Sequence, residues 1–237
     1  DTLTFAGGVT ATAPAAISTA GAINTTNTAM SLGDANTALT LTANLTLNTT
    51  GGNANVGGNL TLGGAVNGTT ANTESLTLNA GSTGAVSVVG AVGPTTHLNT
   101  LTLVQSHGAV FNAAVMADTE VVLTDTVDGQ TIQFAGNLST PVLTTTANGY
   151  HLELLGTTTN VSDVNTATTF LNTGNLVLGN GAGDTLTFAG GVTATAPAAI
   201  SAAGAINTTN TAMSLGDANT ALTLSANLTL NTTGGNA

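Results

Sequence analysis

The sequence predicts an all-β protein, a right-handed parallel β-helix (β-solenoid) of tandem repeats. Three observations predict it: a composition of strand and turn formers almost without charge, a short strand motif that recurs every 20 to 25 residues, and a near-exact long repeat.

Composition sets the frame. Hydrophobic residues make up 41% of the 237-residue chain and charged residues only 5%, whereas about a quarter of an ordinary domain is charged. Disordered chains are poor in apolar residues and rich in charge, so this chain belongs elsewhere. Thr and Val favour pleated backbone, and Asn and Gly favour turns. There is no Lys, Arg or Cys, and eleven acids give a formal net charge of −11. Phosphate neutralisation and attraction to anionic bilayers both need cationic side chains, so neither nucleic acid nor a membrane surface is an expected partner. No apolar run reaches the roughly 18 residues of a spanning helix. Without disulfides, packing and backbone hydrogen bonds must supply the stability. A surface without Lys or Arg also offers nothing to trypsin-like proteases, which suits an extracellular material.

The long repeat is the clearest feature. Residues 1–54 recur at 184–237 with 52 of 54 positions identical, the exceptions being Thr19/Ala202 and Thr42/Ser225. Residues 1–183 are therefore one full solenoid unit and 184–237 the start of the next, with no linker between them. The two copies are expected to fold alike and to occupy equivalent places along one axis.

Within the unit, Leu-Thr-Leu or a relative recurs at Leu60–Leu62, Leu76–Leu78, Leu101–Leu103, Val122-Leu123 and Val142-Leu143. Gly-Ala-Val follows at residues 64–66, 84–86 and 108–110. The alternation has period two, Leu inward and Thr outward. Residues 15–22 are rich in Ala, but Pro14 and Gly21 bracket them and argue against a helix. Strands this short need coil-upon-coil stacking, and 183 residues at about 22 per coil give about eight coils, or about 38 Å of axial rise. Asn at repeated turn positions is expected to line up in ladders. Strong Asn-Gly hairpin signals, such as Asn67-Gly68 and Asn148-Gly149, are scarce, which disfavours a string of antiparallel sandwiches.

The segments LTLNAGSTGAVSVVGAVG (76–93) and LTFAGGVTATAPAAIS (3–18) resemble the β-strand-repeat regions of large bacterial exoproteins, filamentous-haemagglutinin-like and autotransporter-passenger-like surface proteins among them. The resemblance covers the whole chain in style, without a diagnostic motif. It implies secretion to the cell surface, a parallel β-helix, and a role in adhesion, aggregation or coat building.

Sites of chemistry are sparse. Asp118, Glu120, Asp125 and Asp128 form the densest acidic group, where Ca²⁺ is the cation that oxygen ligands would take. Turn building by Asp125 and Asp128-Gly129 is the simpler reading. Residues 179–186 (GNGAGDTL) carry one degenerate copy of a glycine-rich Ca²⁺ nonapeptide that works only in consecutive copies, so a tight corner is expected. His97, His107 and His151 have no zinc-ligand spacing. No G-x-S-x-G elbow or paired carboxylates are evident. No catalytic, cofactor or metal site is therefore assigned, and the chain is not expected to be an enzyme. Thr-x-Thr pairs such as Thr2/Thr4, Thr10/Thr12, Thr40/Thr42, Thr100/Thr102 and Thr124/Thr126 raise ice binding, against the ordinary use of Thr on exposed strands. Sequons at Asn24, Asn44, Asn48, Asn59, Asn137 and Asn160 follow from an Asn- and Thr-rich composition.

The expected function is structural: a repeat protein forming or extending an extracellular filament, sheath or cell-surface stalk by head-to-tail or covalent self-association. The alternative is a β-helical adhesin binding a surface or host ligand; segment 105–170, with Tyr150, His107 and His151, is the expected place for a ligand or an inter-chain contact.

Overall fold

A computed structural model of the chain describes residues 1–52 and 56–234. The described residues form 24 strands and no helix. The Ala-rich stretch 15–22 leads into a strand, as its brackets require.

The chain winds over three walls, here A, B and C. The first coil has β1 (Thr2–Phe5) on A, β2 (Val9–Ala11) on B, and the start of β3 (Ile17–Thr25) on C. β3 turns onto A and opens the second coil, followed by β4 (Met30–Leu32) on B and β5 (Leu39–Asn48), which crosses from C to A. β6 (Leu60–Leu62) on B and β7 (Val66–Gly68) on C close the third coil. The fourth has β8 (Leu76–Asn79) on A, β9 (Val86–Val88) on B, and on C only Val92, bridged to Val66 and Val115. β10 (Leu98–Gln105), β11 (Ala109–Phe111) and β12 (Val115–Leu123) make the fifth, β12 again crossing from C to A. The sixth adds β13 (Thr131–Phe134) on B and β14 (Leu138–Thr140) on C. β15 (Val142–Thr145), β16 (His151–Leu154) and β17 (Thr158–Val161) form the seventh. β18 (Thr168–Thr169), β19 (Leu176–Leu178) and β20 (Thr185–Phe188) form the eighth. The ninth and tenth are β21 (Val192–Ala194) with β22 (Ala199–Asn207), and β23 (Met213–Leu215) with β24 (Ala221–Asn231).

Every pairing between named strands is parallel and joins one coil to the next, so the fold is a parallel β-solenoid. Antiparallel contacts among the described residues are isolated bridges such as Thr26–Thr50. Sequence patterning explains the walls. β5 reads LTLTANLTLN: its two Leu-Thr-Leu runs bury both leucines, while Thr42, Ala43 and Asn44 between them are exposed at the corner. β3 bends at Gly21, whose φ of +81° and close approach to the Asp1 carbonyl leave no room for a Cβ.

Inward side chains stack in files. On wall A, Leu45, Leu76, Leu101, Val121 and Leu143 lie in register. On wall B one file passes from Leu62 through Val88 and Phe111 to Phe134, where the two phenyl rings stack at 4.7 Å. Register corrects the sequence reading twice. Leu101 sits over Val121 rather than Val122. The Gly-Ala-Val runs are not one element: Val66 is on wall C and Val86 on wall B, opposite Ala109.

Polar interruptions of the core are mostly satisfied. The ladder between β15 and β18 is carried by Thr145, whose hydroxyl donates to the Thr169 carbonyl (3.1 Å) and accepts from the Leu171 N–H (2.8 Å). Ser106 donates to the Thr126 hydroxyl at 2.8 Å, both fully buried. Thr159 differs: it lies in the wall C file between Leu138 and Leu186, and its hydroxyl has no partner.

The second copy of the repeat continues the same ladder, with β20 on β17 and β22 on β19. Its internal register repeats the first: Thr2–Ala22 becomes Thr185–Ala205, and Val9–Met30 becomes Val192–Met213. Its place does not. β1 is on wall A and β20 on wall C, so the two copies do not occupy the equivalent places that the repeat alone suggests.

Position along the axis, not identity, decides what a residue contributes. Leu47 is 0% exposed, while the identical Leu230 in the outermost coil is 51% exposed. Leu47→Ala is expected to cost about 2–5 kcal/mol and Leu230→Ala well under ~1 kcal/mol, read from denaturant melts; equal costs would contradict the stacking order. Thr159→Val removes an orphan hydroxyl from an apolar file and is expected to raise stability by about 1 kcal/mol; a loss of that size in the same melts would show that the hydroxyl has a partner.

Candidate functional surfaces

The clearest contrasts in the solenoid are between identical residues of the two copies. Leu3 and Phe5 on β1 are 51% and 39% exposed, yet their equivalents Leu186 and Phe188 are both 0% exposed. The difference is the cover: β20 is packed beneath β17, and Phe188 meets Phe170 edge-on at 5.7 Å. At the other end Leu224 and Leu230 are exposed, whereas their equivalents Leu41 and Leu47 are buried under β7 and β8.

Along the corners, asparagines latch one coil to the next. Asn44 accepts from the Ser75 N–H (2.9 Å), Asn59 from Ala85 (3.0 Å), Asn67 from Thr95 (2.9 Å), and Asn137 from Thr158 (3.0 Å). Asn24, Asn48 and Asn79 do fall in one file on wall A. Asn48 and Asn79 each also close a turn, accepting from the N–H of Thr50 and Gly81. Sequence reading treated several of these residues as sequons. Their inter-coil role could be sought only by pairing residues about 20 to 30 positions apart.

The acidic group does not converge. Asp118 meets His97 Nδ1 at 2.7 Å, and Glu120 accepts from the Thr144 hydroxyl at 2.5 Å. Asp128 accepts from the Gly149 N–H at 3.1 Å. Burial raises Asp125 above the ordinary carboxylate range and the charge of Asp128 adds to that, while a hydrogen bond from Gln105 opposes it. Among the described residues no three His, Asp or Glu side chains gather where one ion could hold them. In the glycine-rich segment 179–186, Asp184 accepts from the N–H groups of Asn180 and Gly181, both at 2.8 Å, which builds a tight corner.

The remaining singled-out residues serve the frame. His107 Nδ1 lies 3.1 Å from the Ser82 carbonyl, and His151 Nδ1 accepts from the Asn175 N–H at 2.7 Å. Tyr150, expected at a ligand surface, is fully buried; its hydroxyl donates to the Leu123 carbonyl and accepts from the Thr146 N–H, both at 3.2 Å. Thr-x-Thr pairs do not share a face: Thr10 is on wall B, Thr40 on C, Thr102 on A, and Thr126 is buried. Among the described residues no helix is long and apolar enough to cross a membrane. Comparison with family models, with curated proteins and with solved structures finds no match to this chain.

Acids at the turns are held below their usual range by hydrogen bonds to the charged form. The leading cause is the Asn36 N–H at Asp34, the Asn219 N–H at Asp217, the Thr166 hydroxyl at Asp163 and the Thr69 hydroxyl at Glu74. A carboxylate lowered in the fold adds stability at neutral pH, and that stability is lost as pH falls below about 4. Glu74 also accepts from the Thr69 and Thr70 N–H groups, both at 3.2 Å. Between pH 7 and pH 3 the parent is therefore expected to lose more melting temperature than Glu74→Gln does; parallel losses would remove Glu74 from the acid response.

Proposed function

We propose that this chain is a structural repeat segment that extends an extracellular filament, sheath or cell-surface stalk. The observation that carries the reading is the joint by which the second copy of the repeat stacks on the first. The strand that carries Leu3 and Phe5 recurs with Leu186 and Phe188, and there it forms an interior joint directly on the preceding coil. A unit that already joins itself without a linker can be added repeatedly, and each addition lengthens the shaft by a fixed amount. Open, non-closing contacts of this kind give filaments rather than rings. Such a joint needs no salt bridge, consistent with a chain that has no Lys or Arg. That composition, together with the resemblance to bacterial exoproteins, supports a place outside the cell, where a protease-poor surface is useful.

The adhesin alternative has less behind it. In segment 105–170, Tyr150 lies in the core and His107 and His151 are engaged with neighbouring coils. No ligand, cofactor or catalytic role is assigned.

Electron microscopy of the native material tests the proposal. Long unbranched fibres or stalks are expected, with a unit rise of about 37 Å from stacked coils about 4.8 Å apart. Dispersed compact particles would overturn it.

A further inference from the structure

The long repeat is not a whole number of coils. β1 opens the first coil on wall A, and β20, its equivalent, closes the eighth coil on wall C. The same shift holds throughout the copy. β2 pairs with β4 on wall B, but β21 pairs with β18 and β23 on wall A. The first part of β3 lies on wall C, but the first part of β22 lies on wall B, on β19. One unit of 183 residues therefore spans seven coils and two walls, 23 wall passages where eight full coils would need 24.

Local chemistry makes the shift tolerable. The corner motifs travel with the sequence. Asn27 and Asn210 share a φ of 55°. Thr25 donates to the Thr28 carbonyl at 2.5 Å and Thr208 to that of Thr211 at 2.6 Å. Thr37 and Thr220 donate to the carbonyls of Pro14 and Pro197, both at 2.7 Å. The walls are alike in what they ask of a strand, an apolar inward row, so the same segment seats on any of them.

We propose that successive units of this solenoid are each turned by one wall, so that a tandem array is a threefold screw. Every exposed residue of the unit then appears on all three walls in turn, and the first wall returns only after three units. Those three units hold 3 × 183 residues in 23 coils, about 110 Å of length. A partner that recognises one wall of one unit, a second array included, meets the same residues on three sides of the shaft. This inference rests on the filament reading for its array, but the wall shift itself is a property of the single chain.

Cysteine cross-linking in the full chain tests the shift, because the chain has no native cysteine. Register partners on parallel strands lie about 4.8 Å apart, within disulfide reach. Thr169 and Thr193 are partners on wall A, and Val177 and Ser201 are partners on wall B. Under mild oxidation T169C/T193C is expected to close, as is V177C/S201C, while V177C/T193C stays reduced. Eight whole coils per unit would place Thr193 over Val177, so closure of V177C/T193C with T169C/T193C open overturns the proposal. Closure of V177C/S201C alone also overturns it. Fibre diffraction of the native material gives an independent reading: a layer-line period near 110 Å is expected above the unit rise of about 37 Å, and a unit rise with no longer period counts against the screw. Absence of fibres removes the filament reading and leaves the cross-linking result to decide the wall shift.

Discussion

Hydrogen bonds between backbones of successive coils run along the axis of this molecule, and they dictate nearly everything else. Each inward side chain can touch only its own coil and its register partners above and below. A core built under that constraint has to be like upon like in files, apolar on apolar, as in the Leu45 to Leu143 file of wall A. A polar residue that enters a file needs its partner in a neighbouring coil. Ser106 finds Thr126, and Thr145 finds the backbone of the β18 segment. The corner asparagines obey the same rule from outside, each reaching the N–H of a neighbouring coil. Burying a backbone group without such a partner would cost more than the bond itself contributes.

The constraint acts between neighbours and is silent about which wall a strand occupies. Segment 1–52 and its copy keep their internal registers and corner hydrogen bonds, yet they stand one wall apart. Pairing between adjacent coils leaves the angular phase of a long repeat unconstrained. A duplication in a protein with one specialised wall would have to respect whole coils. Here it did not, which agrees with three walls of similar demands.

Much of the fold is readable in the residues because its unit is short and alternating. Leu-Thr-Leu separated by Gly and Asn announces strands and corners, and the absence of any sustained helical period leaves stacking as the way to bury them. Register is where reading by motif fails. Val122-Leu123 looks like the successor of Leu101-Thr102, but Val121 is the residue that faces inward, because the β10–β12 pairing shifts between Leu98 and Thr100. The wall of each motif is equally hidden, since Val66 and Val86 follow the same Gly-Ala pair and face different neighbours. Side chains that act between coils escape as well. Tyr150 looks like an exposed aromatic in an irregular segment, and only the fold shows that it fills the core and bonds to Leu123. The acidic residues 118–128 are close in sequence, but a wall and its corners separate them, so proximity along the chain overstates their convergence.

The joint between the two copies is held by the same constraint. An exposed strand edge with apolar side chains is ordinarily a liability, and proteins blunt it with charge, above all with Lys, or with Pro and bulges. This chain has no Lys, and the strand Thr2–Phe5 carries neither charge nor Pro on its edge. The same edge, as β20, is closed by β17 in perfect register over Thr185, Leu186, Thr187 and Phe188. What would be a generic aggregation site is thus specified by sequence at this joint, since β17, which fits it, is encoded within the same repeat unit. Specificity of joining then comes from the match of apolar files and from register, because a one-residue slip would turn Leu and Phe outward and Thr inward. Charge is poorly placed to supply it in a chain without Lys or Arg, where acids meeting at a joint would repel. An uncharged, register-locked edge is the chemistry that joins the two copies of the repeat within this chain.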